Sequence, residues 1–357
     1  MASIQPPPQG IAQRVLRWQK QYGRTGLPWQ GTRNPYYVWL SEIMLQQTQV
    51  STVLNYFPRF VTRFPDVQSL ASAHLDDVLA LWSGMGYYSR ARNLHRCATL
   101  VVQQFNGEFP ASAELLQTLP GIGRSTAAAI AAFCFGERVA ILDANVKRVL
   151  TRVLGFESDL TVLSNERVLW DKATALLPTR DLLESMPRHT QAMMDLGATV
   201  CTARKPACVR CPLQTVCVAH SQNRVLDYPV KTRKLKRSAE SWWLVCAQHK
   251  NGDIFMLQRP VPGVWAGLYC FPVWSSRVLL WSQLSAVQRK KAEEHPALRH
   301  VLTHKDLYLH VVTIGWTEKK DPASAGLWMP PAQAIKLGLP APIHKMISKM
   351  IEVIEVF

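Results

Sequence analysis

The chain has 357 residues, of which 48% are hydrophobic and 18% charged, so it can bury more than one core and is not a disordered polymer. Lys and Arg outnumber Asp and Glu by 41 to 25, a formal net charge of +16, which indicates a polyanionic partner, nucleic acid before membrane. The longest apolar run, Ala127–Phe135, is about half a bilayer span. With no secretory signal pattern at the start, we expect a soluble cytoplasmic protein that does not enter a membrane.

Apolar residues recur at helical spacing from Gln13 to the neighbourhood of Cys217, with little of the alternation that marks strands. The predicted helices are short and numerous: 12–22, 35–46, 48–63, 68–72, 75–83, 88–105, 111–118, 124–135, 144–154, 164–176 and 188–199. An all-helical part is therefore expected over about two-thirds of the chain.

The residue pattern of the sequence changes after Cys217. Five of the seven residues at 231–237 (KTRKLKR) are basic, which predicts an exposed linker. Beyond Ser241 the pattern favours strands bounded by Gly and Pro, followed by a closing helix at 342–356. The predicted strands are 242–248, 253–259 and 307–316. The predicted fold class is multidomain, a helical part followed by an α/β domain.

Four of the eight cysteines lie within seventeen residues. Their spacing is C-x6-C-x2-C-x5-C, formed by Cys201, Cys208, Cys211 and Cys217. Four thiolates this close can hold either a tetrahedral zinc ion or an iron–sulfur cluster. Only one pair has the C-x2-C spacing typical of zinc sites, which weakens zinc without excluding it. Four unliganded thiols in so short a segment are the less favoured alternative.

A glycine-rich turn at 119–123 (LPGIG) lies between two predicted helices. Gly121 and Gly123 permit close approach of a ligand to the backbone, and the helix that follows has Ser125 in its first turn. Free N–H groups at a helix N-terminus bind phosphate oxygens, so the pattern suits a hairpin that grips the DNA backbone. An ordinary turn between helices is the alternative; the net charge favours DNA.

Two carboxylates are candidates for catalysis. Glu42 is the only acidic residue before Asp66, and helical spacing places it beside apolar residues, where a raised pKa would suit a general acid. Its alternative is an ion pair with a nearby Arg. Asp143 directly precedes an apolar-periodic helix, so its alternative is a helix N-cap. Both functions can coexist in Asp143.

Together these residues resemble the MutY adenine DNA glycosylases. The resemblance runs from about residue 10 to the C-terminus and includes the four-cysteine pattern, which in that family holds a [4Fe–4S] cluster. The matching motifs are 27–30 (LPWQ), 39–49 (WLSEIMLQQTQ), 84–92 (GMGYYSRAR), 119–126 (LPGIGRST) and 142–147 (LDANVK).

The resemblance implies a helix-hairpin-helix glycosylase that removes adenine mispaired with 8-oxoguanine or guanine in double-stranded DNA, after flipping the adenine out of the stack. It assigns Glu42 as the acid that protonates adenine, Asp143 as the carboxylate that stabilises the sugar cation, and Asn145 as a residue holding the site together.

Further site residues come from the same resemblance; for Gln47 and Tyr87 the alternatives are a polar helix residue and a core aromatic. They are Trp29 and Arg33 in the base pocket, Gln47 and Tyr87 as wedges on the 8-oxoguanine side, and Gly121, Gly123, Ser125 and Lys147 at the DNA backbone. The related endonuclease III carries a Schiff-base Lys where this chain has Ser125, and Ser cannot form an imine. The resemblance thus implies cleavage of the base but not of the strand.

The C-terminal part resembles a Nudix fold at 257–260 (LQRP) and 263–272 (GVWAGLYCFP). Residues 273–292 contain no Asp or Glu, whereas a Nudix hydrolase needs clustered carboxylates there to hold Mg²⁺. In the family this domain instead recognises 8-oxoguanine through an aromatic, a hydroxyl and a His. The matching positions are Leu302, Thr303 and His304, and Leu302 replaces the commoner aromatic.

We predict a glycosylase region at 1–228, a basic linker at 229–240 and a Nudix-like recognition domain at 241–357. Within the first, a six-helix lobe is expected at 26–135 and an iron–sulfur lobe at 1–25 with 136–228. The protein is expected to be monomeric and, if bacterial, associated with the nucleoid. The competing interpretations are a non-catalytic DNA-binding protein, which would need neither carboxylate, and a redox sensor that uses the cluster.

Overall fold

The structure, a computed structural model, describes most of the chain: residues 10–232, 236–317, 321–323 and 325–354. The chain divides into two compact units, residues 1–71 with 96–234 and residues 72–95 with 235–357. Residues 233–235 of the predicted linker lie outside the described residues, as do the first nine residues of the predicted iron–sulfur lobe. The three-region division therefore stays a prediction.

The first unit is helical, as the periodicity predicts. From the start of the described chain to the first strand, the helices of both units are α1 (Ile11–Tyr22), α2 (Pro35–Leu45), α3 (Val50–Arg63), α4 (Val67–Ser72), α5 (Leu75–Leu81), α6 (Ser89–Phe105), α7 (Ala113–Leu116), α8 (Arg124–Phe135), α9 (Ala144–Leu154), α10 (Leu163–Ala175), α11 (Leu182–Thr199) and α12 (Val218–Ser221).

The prediction for α11 is wrong at its start, because the helix begins at Leu182 and not at residue 188. Pro187 lies inside the helix, and a proline usually marks a helix boundary because it has no N–H for the carbonyl four residues earlier. That carbonyl belongs to Leu183 and accepts a hydrogen bond from the Arg33 guanidinium at 3.3 Å instead. A distant side chain thus provides the donor that Pro187 lacks.

The core of the first unit forms around α8, α9 and α11. In α8 every residue from Ala127 to Ala132 is fully buried, and the small alanine side chains let neighbouring helices pack on several faces. In α11 a Cβ at Gly197 would lie 2.6 Å from Cβ of Asn145 on α9. A glycine is therefore required where α11 crosses the helix that carries Asp143 at its N-cap.

The second unit contains a mixed sheet of eight strands in the described residues. Its longest pairing joins β1 and β7 in parallel from Ser238↔Lys305 to Gln248↔Gly315, and the other pairings are antiparallel. The strands are β1 (Ser238–Gln248), β2 (Ile254–Gln258), β3 (Tyr269–Cys270), β4 (Val273–Trp274), β5 (Glu293–Glu294), β6 (Leu298–Val301), β7 (Lys305–Gly315) and β8 (Leu327–Met329).

The three predicted strands are confirmed as β1, β2 and β7, although β1 begins at Ser238, inside the range predicted as linker. Apolar side chains of β1, β2 and β7 pack with α13 (Arg277–Gln283) to form a core. The remaining helices are α14 (Ala286–Lys291), α15 (Pro331–Ala334) and α16 (Ala341–Ile354); α16 matches the predicted closing helix over its described length. No helix in the described part of the chain is long and apolar enough to cross a membrane.

Candidate active site

A cavity of about 550 Å³ opens in the first unit, a size within the range of small-molecule sites. Glu42 on α2 lines it, together with Trp29, Arg33 and residues of α11. Trp29 is 8% exposed and packs edge-on against Phe57, with ring centroids 5.3 Å apart. The sequence-predicted acid and both predicted base-pocket residues therefore share one cavity.

Glu42 lies in an apolar stretch of α2. The helix starts at Pro35, where the Asn34 side chain accepts a hydrogen bond from the Tyr36 N–H at 2.9 Å, a regular N-cap. Burial and, as the smaller cause, the negative charge of Asp143 together raise the pKa of Glu42 to about 8. Glu42 is therefore protonated at neutral pH and can donate a proton inside the cavity.

Asp143 is the N-cap of α9, as its alternative interpretation predicted. Its carboxylate accepts a hydrogen bond from the Val146 N–H at 2.7 Å. Burial raises the pKa of Asp143, while the backbone N–H groups of Val146 and Asn145 and the positive charge of Arg148 oppose that rise. Because these groups favour the ionised form, Asp143 is the better candidate of the two for the carboxylate and Glu42 for the acid.

Asn145 is fixed by Arg148, one turn later on α9. The Arg148 guanidinium donates to Oδ1 of Asn145 at 2.8 Å and to the carbonyl oxygens of Gly197 and Cys201, both at 2.7 Å. Sequence reasoning missed Arg148, although its i, i+3 spacing from Asn145 on a helix was a usable signal. One side chain thus joins the start of α9, α11 and the first of the four clustered cysteines.

Arg33 forms an ion pair with Glu184, next to the Leu183 carbonyl that it also contacts. Both Arg33 and Glu184 line the cavity, so the early start of α11 helps to shape it. Gln30 lines the cavity as well, and its amide nitrogen Nε2 is buried without a hydrogen-bond partner in the described part of the chain. Sequence reasoning did not single out Gln30, although it lies in the LPWQ motif.

The four clustered cysteines line one small cavity of about 20 Å³, and all four thiols are free. Four thiolates brought together in this way can hold an iron–sulfur cluster. Arg152 is 1% exposed and donates to Sγ of Cys201 at 3.3 Å. A buried cation beside four thiolates suits an anionic iron–sulfur cluster.

The glycine-rich turn joins α7 to α8. Gly121 has a φ of 78°, a conformation that favours glycine, and Gly123 is the N-cap of α8 with no capping side chain in the described residues. Ser125 accepts a hydrogen bond from the Leu142 N–H at 3.0 Å. Lys147, predicted to contact DNA, forms an ion pair with Glu166 at 2.5 Å. The backbone-contact role of these residues stays a prediction.

Comparison with known proteins agrees with this geometry. Residues 40–173 match the HhH-GPD superfamily of base excision DNA repair proteins, residues 201–217 the iron–sulfur binding domain of endonuclease III, and residues 242–349 a NUDIX domain. The adenine DNA glycosylase of Buchnera aphidicola subsp. Baizongia pistaciae is 36% identical over 343 residues, covering 95% of this chain and 96% of that protein. The chain belongs to the adenine DNA glycosylase family.

Two further relatives agree. The Mus musculus adenine DNA glycosylase is 44% identical over 311 residues, which cover 72% of this chain and 59% of that protein. Among solved structures, a thermostable thymine-DNA glycosylase matches with a TM-score of 0.51 and 25% identity, over 59% of this chain and 95% of that chain. The glycosylase therefore acts on DNA in base excision repair, and its four clustered cysteines hold a [4Fe–4S] cluster.

In the second unit of the glycosylase, Tyr87 and Thr303 are neighbours. Tyr87 is 42% exposed and has a φ of 50°, and its hydroxyl shares a 2.8 Å hydrogen bond with the hydroxyl of Thr303. Leu302 is half-buried and His304 exposed in the turn between β6 and β7, which the Leu302 N–H closes on the Lys305 carbonyl at 2.8 Å. Tyr87, a predicted wedge, and Thr303, from the predicted 8-oxoguanine recognition turn, are thus in direct contact.

Gln47 lies in the first unit, just past the end of α2. It is exposed and has a φ of 53°, a left-handed conformation that is uncommon for a residue other than glycine. Such backbone outliers occur often at functional sites, so the geometry is compatible with the predicted role as a wedge, which remains a prediction.

Proposed function

We propose that this glycosylase is monofunctional and removes adenine mispaired with 8-oxoguanine or guanine. The observation that carries the proposal is Glu42, which lines a cavity large enough for a purine, with a pKa of about 8 beside an ionised Asp143. This pair can supply a proton to the leaving base and a negative charge to the sugar.

In the proposed mechanism the flipped adenine enters the cavity and packs against Trp29. The buried amide of Gln30 donates a hydrogen bond to a ring nitrogen of the base, an interaction that its free Nε2 allows. Glu42 transfers its proton to the adenine ring, which turns the base into a neutral leaving group. The glycosidic electrons leave with the base, and the sugar becomes a cation.

Asp143 then stabilises the positive charge on the sugar until water attacks its anomeric carbon, and the Glu42 carboxylate takes up the proton that this water releases. Such fixed charges stabilise a transition state strongly because they need no reorganisation during the reaction. Asn145, held by Arg148, keeps the start of α9 in place. Cys201, Cys208, Cys211 and Cys217 would hold the cluster, which would stiffen the segment whose Cys201 carbonyl binds Arg148 and would contribute structurally.

The proposal of a monofunctional enzyme rests on Ser125 and Lys147. Ser125 occupies the position at which the resemblance places the Schiff-base Lys of endonuclease III, and it has no amine. The Lys147 amine forms an ion pair with Glu166, so it is not free to attack the sugar as a Schiff-base nucleophile would. No strand cleavage should therefore accompany base release.

The second unit is proposed to recognise the base opposite adenine. Tyr87 and Gln47 act as wedges on that side of the duplex, and the turn with Leu302, Thr303 and His304 reads the 8-oxoguanine. The glycosylase is proposed to act as a monomer in the cytoplasm and, in a bacterium, on the nucleoid.

A substitution at Leu302 tests whether this turn recognises 8-oxoguanine. We expect Leu302→Phe to raise the ratio of adenine excision rates opposite 8-oxoguanine and opposite guanine, because an aromatic ring stacks on a base and an aliphatic side chain does not. Base–aromatic stacking contributes about 1–3 kcal/mol, so a gain of roughly fivefold or more is expected in single-turnover kinetics. An unchanged ratio in a folded variant would remove Leu302 from the recognition surface.

The direct test of the proposed function is single-turnover adenine release from duplexes that carry adenine opposite 8-oxoguanine, guanine or thymine. We expect release from the first two, with strands that break only after alkali treatment. Equal release opposite thymine would contradict mispair specificity. Strand breaks without alkali would contradict the monofunctional assignment.

A further inference from the structure

Tyr87 lies in the loop that connects α5 to α6. Two backbone carbonyl groups of the second unit, one in this loop and one near the C-terminus, accept the side-chain hydrogen bonds that hold the loop. The first carbonyl, of Gly86, accepts two hydrogen bonds, from the Trp82 indole N–H at 3.1 Å and from the Arg90 guanidinium at 3.2 Å. Trp82 is the first residue of the loop, and Arg90 lies in the first turn of α6. They fix the residue immediately before Tyr87.

The second carbonyl belongs to Leu339, shortly before α16. It accepts hydrogen bonds from the Ser83 hydroxyl at 3.0 Å and from the Tyr88 hydroxyl at 2.7 Å. The Tyr88 hydroxyl also accepts a hydrogen bond from the Gly84 N–H at 3.1 Å. A single hydroxyl therefore ties the loop to itself and to the C-terminal segment.

Arg90 supports the ring of Tyr87 as well as its backbone. It is only 8% exposed, and its guanidinium carbon lies 5.4 Å from the centroid of Tyr87 and 5.2 Å from that of Trp82. A guanidinium at these distances makes a cation–π contact with both rings. The exposed Tyr87 ring thus has a buried, charged support.

We propose that Tyr88 and Arg90 are positioning residues that hold Tyr87 ready to enter the duplex. In this proposal the Leu339 carbonyl, as the acceptor for Ser83 and Tyr88, anchors the Tyr87 loop to the segment before α16. A wedge that is already ordered loses little conformational entropy on binding, so loosening the loop weakens discrimination before it weakens chemistry. This inference rests on the proposed role of Tyr87 in recognising the lesion pair.

The test uses Tyr88→Phe, which removes one hydroxyl and keeps the ring. We expect the single-turnover excision rate opposite 8-oxoguanine to fall about 3- to 10-fold, the effect of losing one or two hydrogen bonds, while the rate opposite guanine changes less. Ser83→Ala, which removes the other donor to the Leu339 carbonyl, should act in the same direction. Tyr22→Phe is the matched control, since Tyr22 is 64% exposed and should leave both rates unchanged.

A double-mutant cycle separates positioning from a general structural role. In a Tyr87→Ala background, Tyr88→Phe should have no further effect on the rate ratio, because there is no wedge left to position. If Tyr87→Ala lowers the ratio and Tyr88→Phe lowers it further by its full factor, or if neither Tyr88→Phe nor Ser83→Ala has an effect alone, the positioning role is wrong. If Tyr87→Ala itself leaves the ratio unchanged, the proposed function of Tyr87 fails first.

Discussion

Replacing Glu42 with Gln should reduce single-turnover adenine release by about 10²- to 10⁴-fold, the usual contribution of a general acid. Gln keeps the shape of the protonated carboxyl group, so the cavity and the fold should persist. What is lost is the transferable proton, which in the native protein is retained at neutral pH because burial and the charge of Asp143 raise the Glu42 pKa to about 8.

Two controls accompany this variant. Binding to a duplex with adenine opposite 8-oxoguanine should be retained, as measured by a gel-shift titration, because Glu42 is not placed on the DNA-binding surface. Glu352→Gln, on the exposed side of α16, should release adenine at the native rate. Adenine release by Glu42→Gln within a few-fold of the native rate would make Glu42 a structural residue and contradict its assignment as the acid.

Asp143→Asn should lower adenine release by about 10²- to 10³-fold with little loss of stability. Asn and Asp are about equally good helix N-caps, so the hydrogen bond from the Val146 N–H can be kept, while the negative charge that faces the sugar cation is removed. The measurement is the single-turnover rate together with the thermal midpoint of unfolding.

This substitution separates the two interpretations of Asp143. If capping were its only function, Asp143→Asn would leave the rate intact, and Asp143→Ala would cost about 1 kcal/mol of stability. In the proposed account Asp143→Ala lowers both stability and rate. A native rate in a stable Asp143→Asn protein would therefore contradict the catalytic role.

Sequence patterns predicted most of the helical unit because its amphipathic periods are strong and its caps are local. Asp143 is an example, since an acidic residue directly before an apolar-periodic segment defined both the start of α9 and a candidate carboxylate. The start of α11 could not be predicted in this way. Pro187 signals a boundary locally, and only the approach of Arg33 to the Leu183 carbonyl shows how the helix continues through it.

In the candidate site, too, locally encoded features could be predicted from the sequence and contacts between distant segments could not. The spacing of the four cysteines indicated a metal or cluster site without a structure, and the isolation of Glu42 among basic and apolar residues made it a candidate acid. Arg148 and Arg152 bind mainly backbone carbonyls of distant loops, and a carbonyl carries no side-chain signature that a sequence pattern can report. For the same reason the sequence could not predict that the Leu339 carbonyl holds the Tyr87 loop. Only the fold places Leu339 beside Ser83 and Tyr88.

The central claim is that Glu42 acts as a buried acid, and the pH dependence of single-turnover adenine release tests it most directly. The protonated form is the active one, so the rate should be level below the Glu42 pKa and fall about tenfold per pH unit above it, with the break near pH 8. In Asp143→Asn the break should move to lower pH, because the charge that raises the Glu42 pKa is gone. A rate that stays constant or rises between about pH 7 and pH 10 in the native glycosylase would contradict acid catalysis by Glu42.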